Sequence, residues 1–263
     1  MEYISQRDYE YVMNKHHQAE LGEKGRFRRN DAIFAPDSGL SPDEVMAGLA
    51  ETVRANEHEP HVICKARALA YVLKNTRIAC DTRDIFPAIN MIDRPLYATL
   101  IWKWKNEVFN EIIPEVGARR AQLERDGIVT IWPDFDHSVP VWERVFSLGF
   151  PGLLRESEQA RKSKVRTKEE DLFFEGIKVT YEAILAFLDR LYDCAEEGKM
   201  KNALDTLRKG APQSFYEALL LSYLYFILLF QLSLFIRLHT QPIFKCAIGR
   251  IHVLQIIIIL FFG

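Results

Sequence analysis

The sequence predicts a mainly α-helical fold with a few short strands, and three observations carry that expectation. Ser41, Thr167 and Ser214 are each followed three positions later by glutamate, the reciprocal capping pattern that opens a helix. Over residues 60–76 and again behind Thr167, apolar residues recur at three- and four-residue steps, the period of one helix face. Alternation of apolar and polar residues is short, centred on "RIACDTRDIFPAINMIDRP", residues 77–95.

In chain order, residues 1–40 read as a polar arm of loop and short helix, with turn chemistry in "GRFRRND" and "APDSGL". Ser41-Pro42-Asp43-Glu44 then places proline at the first helical position and glutamate at N3, predicting a helix over about 42–56. In "PHVICKARALAYVLKNT", Val62, Ile63, Ala66, Leu69, Ala70 and Leu73 form an apolar stripe, with Lys65, Arg67 and Lys74 off it. One or two short strands follow over 77–95, and helical periodicity returns from roughly Leu96 to Asn110. The Thr167 capping box leads a long helix to about Cys194, with Phe173, Ile177, Thr180, Ile184, Phe187, Leu188 and Leu191 on one face. The mixed-charge run "RESEQARKSKVRTKEED" just before it reads as a solvated helical face. Ser214-Phe215-Tyr216-Glu217 opens the last helix.

The 263 residues are 48% apolar and 27% charged, as in an ordinary globular protein. A net charge of -2 gives no global basic field for nucleic acid and no strong pull on a basic partner. The polar N-terminus lacks the apolar core of a signal peptide, so a cytoplasmic address is expected. Cys64, Cys80, Cys194 and Cys246 lie far apart without a CxxC pair; neither a zinc knuckle nor a dithiol motif follows from spacing, and reduced, buried thiols are expected. No metal site is expected.

Residues 132–154, "WPDFDHSVPVWERVFSLGFPGLL", concentrate the candidate chemistry. Two readings of His137 stay open. A neutral imidazole oriented by Asp134 or Asp136 could present its other nitrogen to a ligand. Alternatively His137 hydrogen-bonds the turn that Pro140 rigidifies, and the aspartates serve a helix N-terminus.

Four segments in order, "ICKARALAYVLKNTRIACDTRDIFPAI", "DFDHSVPVWERVFSLGFPGLLRES", "DLFFEGIKVTYEAILAFLDRLYDCA" and "KGAPQSFYEALLLSYLYF", together resemble the N-terminal part of the glycyl radical enzyme superfamily, the pyruvate formate-lyase-like lyases and dehydratases. The resemblance covers about residues 60–226. It implies an α/β barrel family of which this chain holds the helical N-terminal portion. It also implies a substrate-binding role for His137, with Asp134 and Asp136 beside it, on a hydroxyl or carboxylate of a small polar metabolite. In such enzymes a protein glycyl radical, installed by an S-adenosylmethionine and iron–sulfur activating enzyme, generates a thiyl radical in a sealed cavity. The implied partners are a small-molecule substrate, the activating enzyme and a second copy of the chain; no bound cofactor is expected in these residues.

No Gly-Cys pair occurs in the sequence and no radical-glycine loop can be recognised, so the chain is expected to be a truncated, by itself inactive member; no residue is assigned a catalytic role. The composition changes abruptly at Ala218. Up to Glu217 there are 36 acidic and 31 basic residues; the 46 residues after it hold three basic residues and no acid. Residues 218–236 form a 19-residue uncharged run, close to the ~20 needed to span a bilayer. A non-catalytic helical protein anchored in a membrane by 218–236 is therefore the alternative function. The expected organisation is an arm over 1–40, a helical domain over 41–226 and an atypical apolar tail over 227–263.

Overall fold

A computed structural model of the chain describes residues 6–7, 9–10, 20–21, 27–28, 34–90, 96, 99–100, 102–128, 140–163 and 167–232. In chain order it contains strands β1 (Glu20–Leu21) and β2 (Phe27–Arg28), helices α1 (Pro42–Ala55) and α2 (His61–Asn75), and strands β3 (Ile78–Ala79) and β4 (Ala88–Ile89). Helix α3 (Trp102–Glu107) runs on into a π-helical turn, Val108–Ile112. Then come α4 (Pro114–Arg125), α5 (Trp142–Lys162), α6 (Lys168–Cys194), α7 (Lys199–Lys209) and α8 (Phe215–Leu232). The mainly helical expectation holds.

The three capping boxes form as the local sequence requires. Glu44 N–H donates to Ser41 Oγ at 3.4 Å, and Ser41 N–H donates back to Glu44 Oε2 at 2.8 Å. The same exchange joins Thr167 to Glu170 at 3.2 and 2.9 Å, and Ser214 to Glu217 at 3.3 and 2.9 Å. Each box satisfies two amides that a helix start otherwise leaves unpaired.

Packing is centred on α2 against α6. Ala68, Leu69 and Val72 of α2 and Ile177, Tyr181, Leu188 and Leu191 of α6 are all buried in one core. Gly176 makes the approach close: a Cβ there would meet Val62 Cγ2 at 2.5 Å. Phe150 and Leu153 of α5, Leu204 and Leu207 of α7, and Leu220, Leu221 and Leu224 of α8 complete the core. Each buried leucine, isoleucine, valine or phenylalanine among them contributes about 1.5–3 kcal/mol by leaving water.

Helix α5 is two helices meeting at Gly149, whose φ of 60° and ψ of 174° end the first. Pro151 falls in the first turn of the second, where its missing N–H costs nothing. The described residues of the charged run predicted to be solvated are largely exposed, and Arg161 within it also grips Asp171 through both carboxylate oxygens at 2.9 and 3.0 Å, tying α5 to α6.

Two expectations are corrected. Lys65, placed off the apolar stripe, is buried with 3% exposure, whereas Arg67 and Lys74 are exposed. The reason is that α2 packs against both α1 and α6, so its buried arc is wider than one face. Within residues 1–40, read as loop and short helix, β1 and β2 pair antiparallel with Glu20 opposite Arg28 and Leu21 opposite Phe27. The strands predicted over 77–95 are β3 and β4, paired antiparallel with Ile78 opposite Ile89.

Candidate functional site

The three predicted site residues, Asp134, Asp136 and His137, all lie outside the described residues, as does Cys246. The chain is described again from Pro140, which is buried, and α5 begins two residues later. Trp142 at that start stacks on Phe146 with centroids 5.2 Å apart, and its ring lies 5.2 Å from Tyr225 and 5.7 Å from Phe226 on α8. Deeper in, Phe150 meets Tyr181 of α6 at 6.4 Å. The run that holds the candidate histidine therefore leads into an aromatic wall built by α5, α6 and α8.

Two phenols in this wall are held neutral. Burial pushes both Tyr181 and Tyr225 well above the ordinary tyrosine range. Among the described residues the Tyr181 hydroxyl and the neighbouring Thr180 Oγ1 are buried without a hydrogen-bond partner. A hydroxyl left in that state costs about 1–3 kcal/mol.

The glycine-bracketed turn adjoins the wall. At Gly149 a Cβ would lie 2.3 Å from the Gly210 carbonyl oxygen and 2.7 Å from its carbon, so α5 bends directly over the backbone between α7 and α8. This contact joins "GFPGLL" to "KGAPQS", two segments some sixty positions apart in the sequence.

A second constellation gathers where α6 ends against β3. Cys80 follows β3 directly, and Cys194 is the last residue of α6. The Cys80 thiol lies 3.7 Å from the Leu191 carbonyl oxygen, and it also reaches the Cys194 sulfur, which accepts from the Cys80 backbone N–H as well. Donation by the Cys80 thiol, then its backbone N–H and the charge of Arg190, outweigh partial burial and lower Cys194 to about 7. Cys80 is shifted upward, by that same hydrogen bond and by burial.

Arg190, one turn before Cys194, is locked by main-chain carbonyls. Its guanidinium donates to Thr76 O at 2.9 Å, to Ser38 O at 3.4 Å and to Leu73 O. It thereby closes the C-terminus of α2, whose last carbonyls have no helical partner. The β3–β4 loop beside Cys80 is pinned by α8: Tyr216 OH donates to Ile85 O at 2.7 Å, and Tyr223 OH donates to Pro87 O at 2.9 Å. Spacing alone gave no hint of this dithiol, because its members are brought together by tertiary packing of β3 on α6. Cys64 is buried, as the sequence suggested, whereas Cys80 and Cys194 are half-buried. Among the described residues no group of three or more His, Cys, Asp or Glu could hold a metal ion.

No protein-family model and no curated protein matches the chain. Solved structures do match part of it. A glycyl radical enzyme from Archaeoglobus fulgidus is 19% identical with a TM-score of 0.49, over 71% of this chain and 32% of that one. A Roseburia inulinivorans structure describing 1,2-propanediol dehydration is 14% identical with a TM-score of 0.48, over 71% and 30%. The B12-independent glycerol dehydratase from Clostridium butyricum, in its glycerol-bound form, is 14% identical with a TM-score of 0.43, over 75% and 35%. The matched region is about a third of the length of each of these structures.

Proposed function

We propose that residues 41–226 are the helical N-terminal portion of a glycyl radical lyase or dehydratase, and that they form one wall of its substrate cavity without carrying the radical chemistry. The observation that supports this reading is the contact of Gly149 with Gly210. The four sequence segments that resemble the superfamily are not scattered over the surface: this glycine contact seats the second on the fourth, and α2 on α6 packs the first on the third. Residues that matter only as a set have become one core.

In this reading His137, with Asp134 and Asp136 beside it, hydrogen-bonds a hydroxyl or carboxylate of a small polar metabolite. The thiyl cysteine and the radical glycine come from other sequence, since no Gly-Cys pair stands in these 263 residues. The glycyl radical, once installed by an S-adenosylmethionine-dependent activating enzyme, supplies the hydrogen-atom chemistry. What this chain supplies is position and exclusion of water, through Trp142, Phe150, Tyr181 and Tyr225. The protein would work in the cytoplasm, paired with a second copy as the resemblance implies.

The alternative role is a membrane anchor over residues 218–236, of which 233–236 lie outside the described residues. Leu220, Leu221, Leu224, Tyr225 and Leu228 of α8 are buried in the core, and among the described residues no helix is long and apolar enough to cross a membrane.

The test is anaerobic reconstitution with an activating enzyme, S-adenosylmethionine and reductant, followed by electron paramagnetic resonance and turnover of glycerol or 1,2-propanediol. The purified 263-residue chain is expected to give neither a glycyl doublet nor product. Co-expressed with a chain carrying the Gly-Cys loop and radical glycine, it is expected to give both, and His137→Ala in this chain to lower turnover while leaving the doublet. Turnover by the purified chain alone refutes the proposal, as does failure of the co-expressed pair to give a doublet.

A further inference from the structure

Four features distinguish the Cys80–Cys194 pair from a chance meeting of buried thiols. The Cys194 sulfur is held by two donors of one residue, the Cys80 thiol and the Cys80 backbone N–H. The Cys80 thiol also stands 3.7 Å from the Leu191 carbonyl oxygen, in the last turn of the helix that Cys194 ends, so β3 delivers it to that end of α6. Both residues are half-buried, so a small oxidant has access, while Cys64 is enclosed and burial pushes its thiol up. Arg190 is fixed one turn away by three uncharged carbonyls and, among the described residues, forms no ion pair with a carboxylate that would quench its charge.

The position of Cys194 makes this arrangement more telling. It ends α6, where the helix macrodipole disfavours an anion. Against that field stand the two donors of Cys80 and the guanidinium of Arg190 one turn away.

We propose that Cys80 and Cys194 form an oxidation site for hydroperoxides, with Cys194 the attacking sulfur and Cys80 the resolving one. The Cys194 thiolate attacks the terminal oxygen of the hydroperoxide, the O–O bond breaks, and the departing alkoxide or hydroxide takes up a proton. Cys194 is then a sulfenic acid. The Cys80 thiol loses its proton and its sulfur attacks the Cys194 sulfur; the S–O bond breaks and hydroxide leaves with that proton as water. Two thiols and one hydroperoxide give one disulfide, one alcohol or water, and a further water. The product ties the end of β3 covalently to the end of α6.

The test uses the full reduced chain, one equivalent of hydrogen peroxide, alkylation of the remaining thiols, and peptide mapping by mass spectrometry. The expected product is an intrachain Cys80–Cys194 peptide pair two hydrogens lighter than the free thiols, with Cys64 still alkylated. In Cys80→Ser the expected product is a Cys194 sulfenic acid trapped by dimedone, and in Cys194→Ser Cys80 stays reduced at the same dose. Before oxidation, Cys194 is expected to react with iodoacetamide roughly tenfold or more faster than Cys64 near neutral pH. Equal oxidation of Cys64 and Cys194 overturns the proposal. So does a wild-type chain that accumulates Cys194 sulfenic acid without the linked pair, or one that forms only disulfides between chains.

Discussion

Replacing Gly149 with alanine separates two costs that the structure places at one residue. The first is conformational: φ 60° with ψ 174° is a region that essentially only glycine occupies, at about 1–3 kcal/mol for any other residue. The second is steric. The new Cβ would stand 2.3 Å from the Gly210 oxygen and 2.7 Å from its carbon, and both are backbone atoms, so no side chain can swing aside. Overpacking of that kind costs about 1–3 kcal/mol. The sum, about 4 kcal/mol, is a large part of the roughly 5–15 kcal/mol that holds a domain folded. Two other glycines calibrate the terms. Gly127 has φ of 69° with nothing within 4 Å of a Cβ, so Gly127→Ala should show a conformational cost alone, about 1 kcal/mol. Gly210 is extended at φ -178° and also faces open space, so Gly210→Ala should fall within about 0.5 kcal/mol of wild type. Urea unfolding followed by far-ultraviolet circular dichroism orders the three variants. A Gly149→Ala protein no less stable than Gly127→Ala would refute the close seam between α5 and the α7–α8 connection.

Two further perturbations address charged groups inside the fold. Arg190→Gln should destabilise by about 2–4 kcal/mol, since carbonyls at the end of α2 lose a charged donor, and Arg190→Lys should not restore it because one ammonium cannot reach all three. A loss under about 1 kcal/mol in urea would remove the staple from the account. Burial pushes the Lys65 ammonium down from its usual range to about 7, so between about pH 7 and 10 the unfolded chain binds the proton that the folded chain has released. Stability should therefore rise with pH across that window, at up to about 1.4 kcal/mol per unit, and Lys65→Met should abolish the slope; an unchanged slope in Lys65→Met would contradict the burial.

What could be read before the fold was known follows from how local each signal is. The starts of α1, α6 and α8 were legible because a capping box needs only four consecutive residues, and the structure forms all three. The inner face of α6 was legible because Ile177, Thr180, Ile184, Leu188 and Leu191 carry the helical period themselves, although Phe174 and not Phe173 is the fully buried ring. Helix α4 escaped notice because it buries no residue and so leaves no apolar stripe. Helix α7 did leave one, in Met200, Ala203, Leu204 and Leu207, and a search at three- and four-residue steps would have found it. Lys65 was misplaced because a second neighbour widened the buried arc of α2. The dithiol and the Arg190 staple were invisible for a different reason: their partners are more than a hundred positions away in sequence, and only packing of α6 on β3 and on the end of α2 brings them together.

That long separation has a consequence for how the protein comes into being on the ribosome. Helix α2 finds its main neighbour only in α6, which is translated about a hundred residues later, some 5–20 s at ordinary elongation rates. During that interval the nascent helix has its leucines and valines unshielded in the exit vestibule, an attractive target for a holdase. Whatever slows decoding between these two helices lengthens the time for which that handover must last.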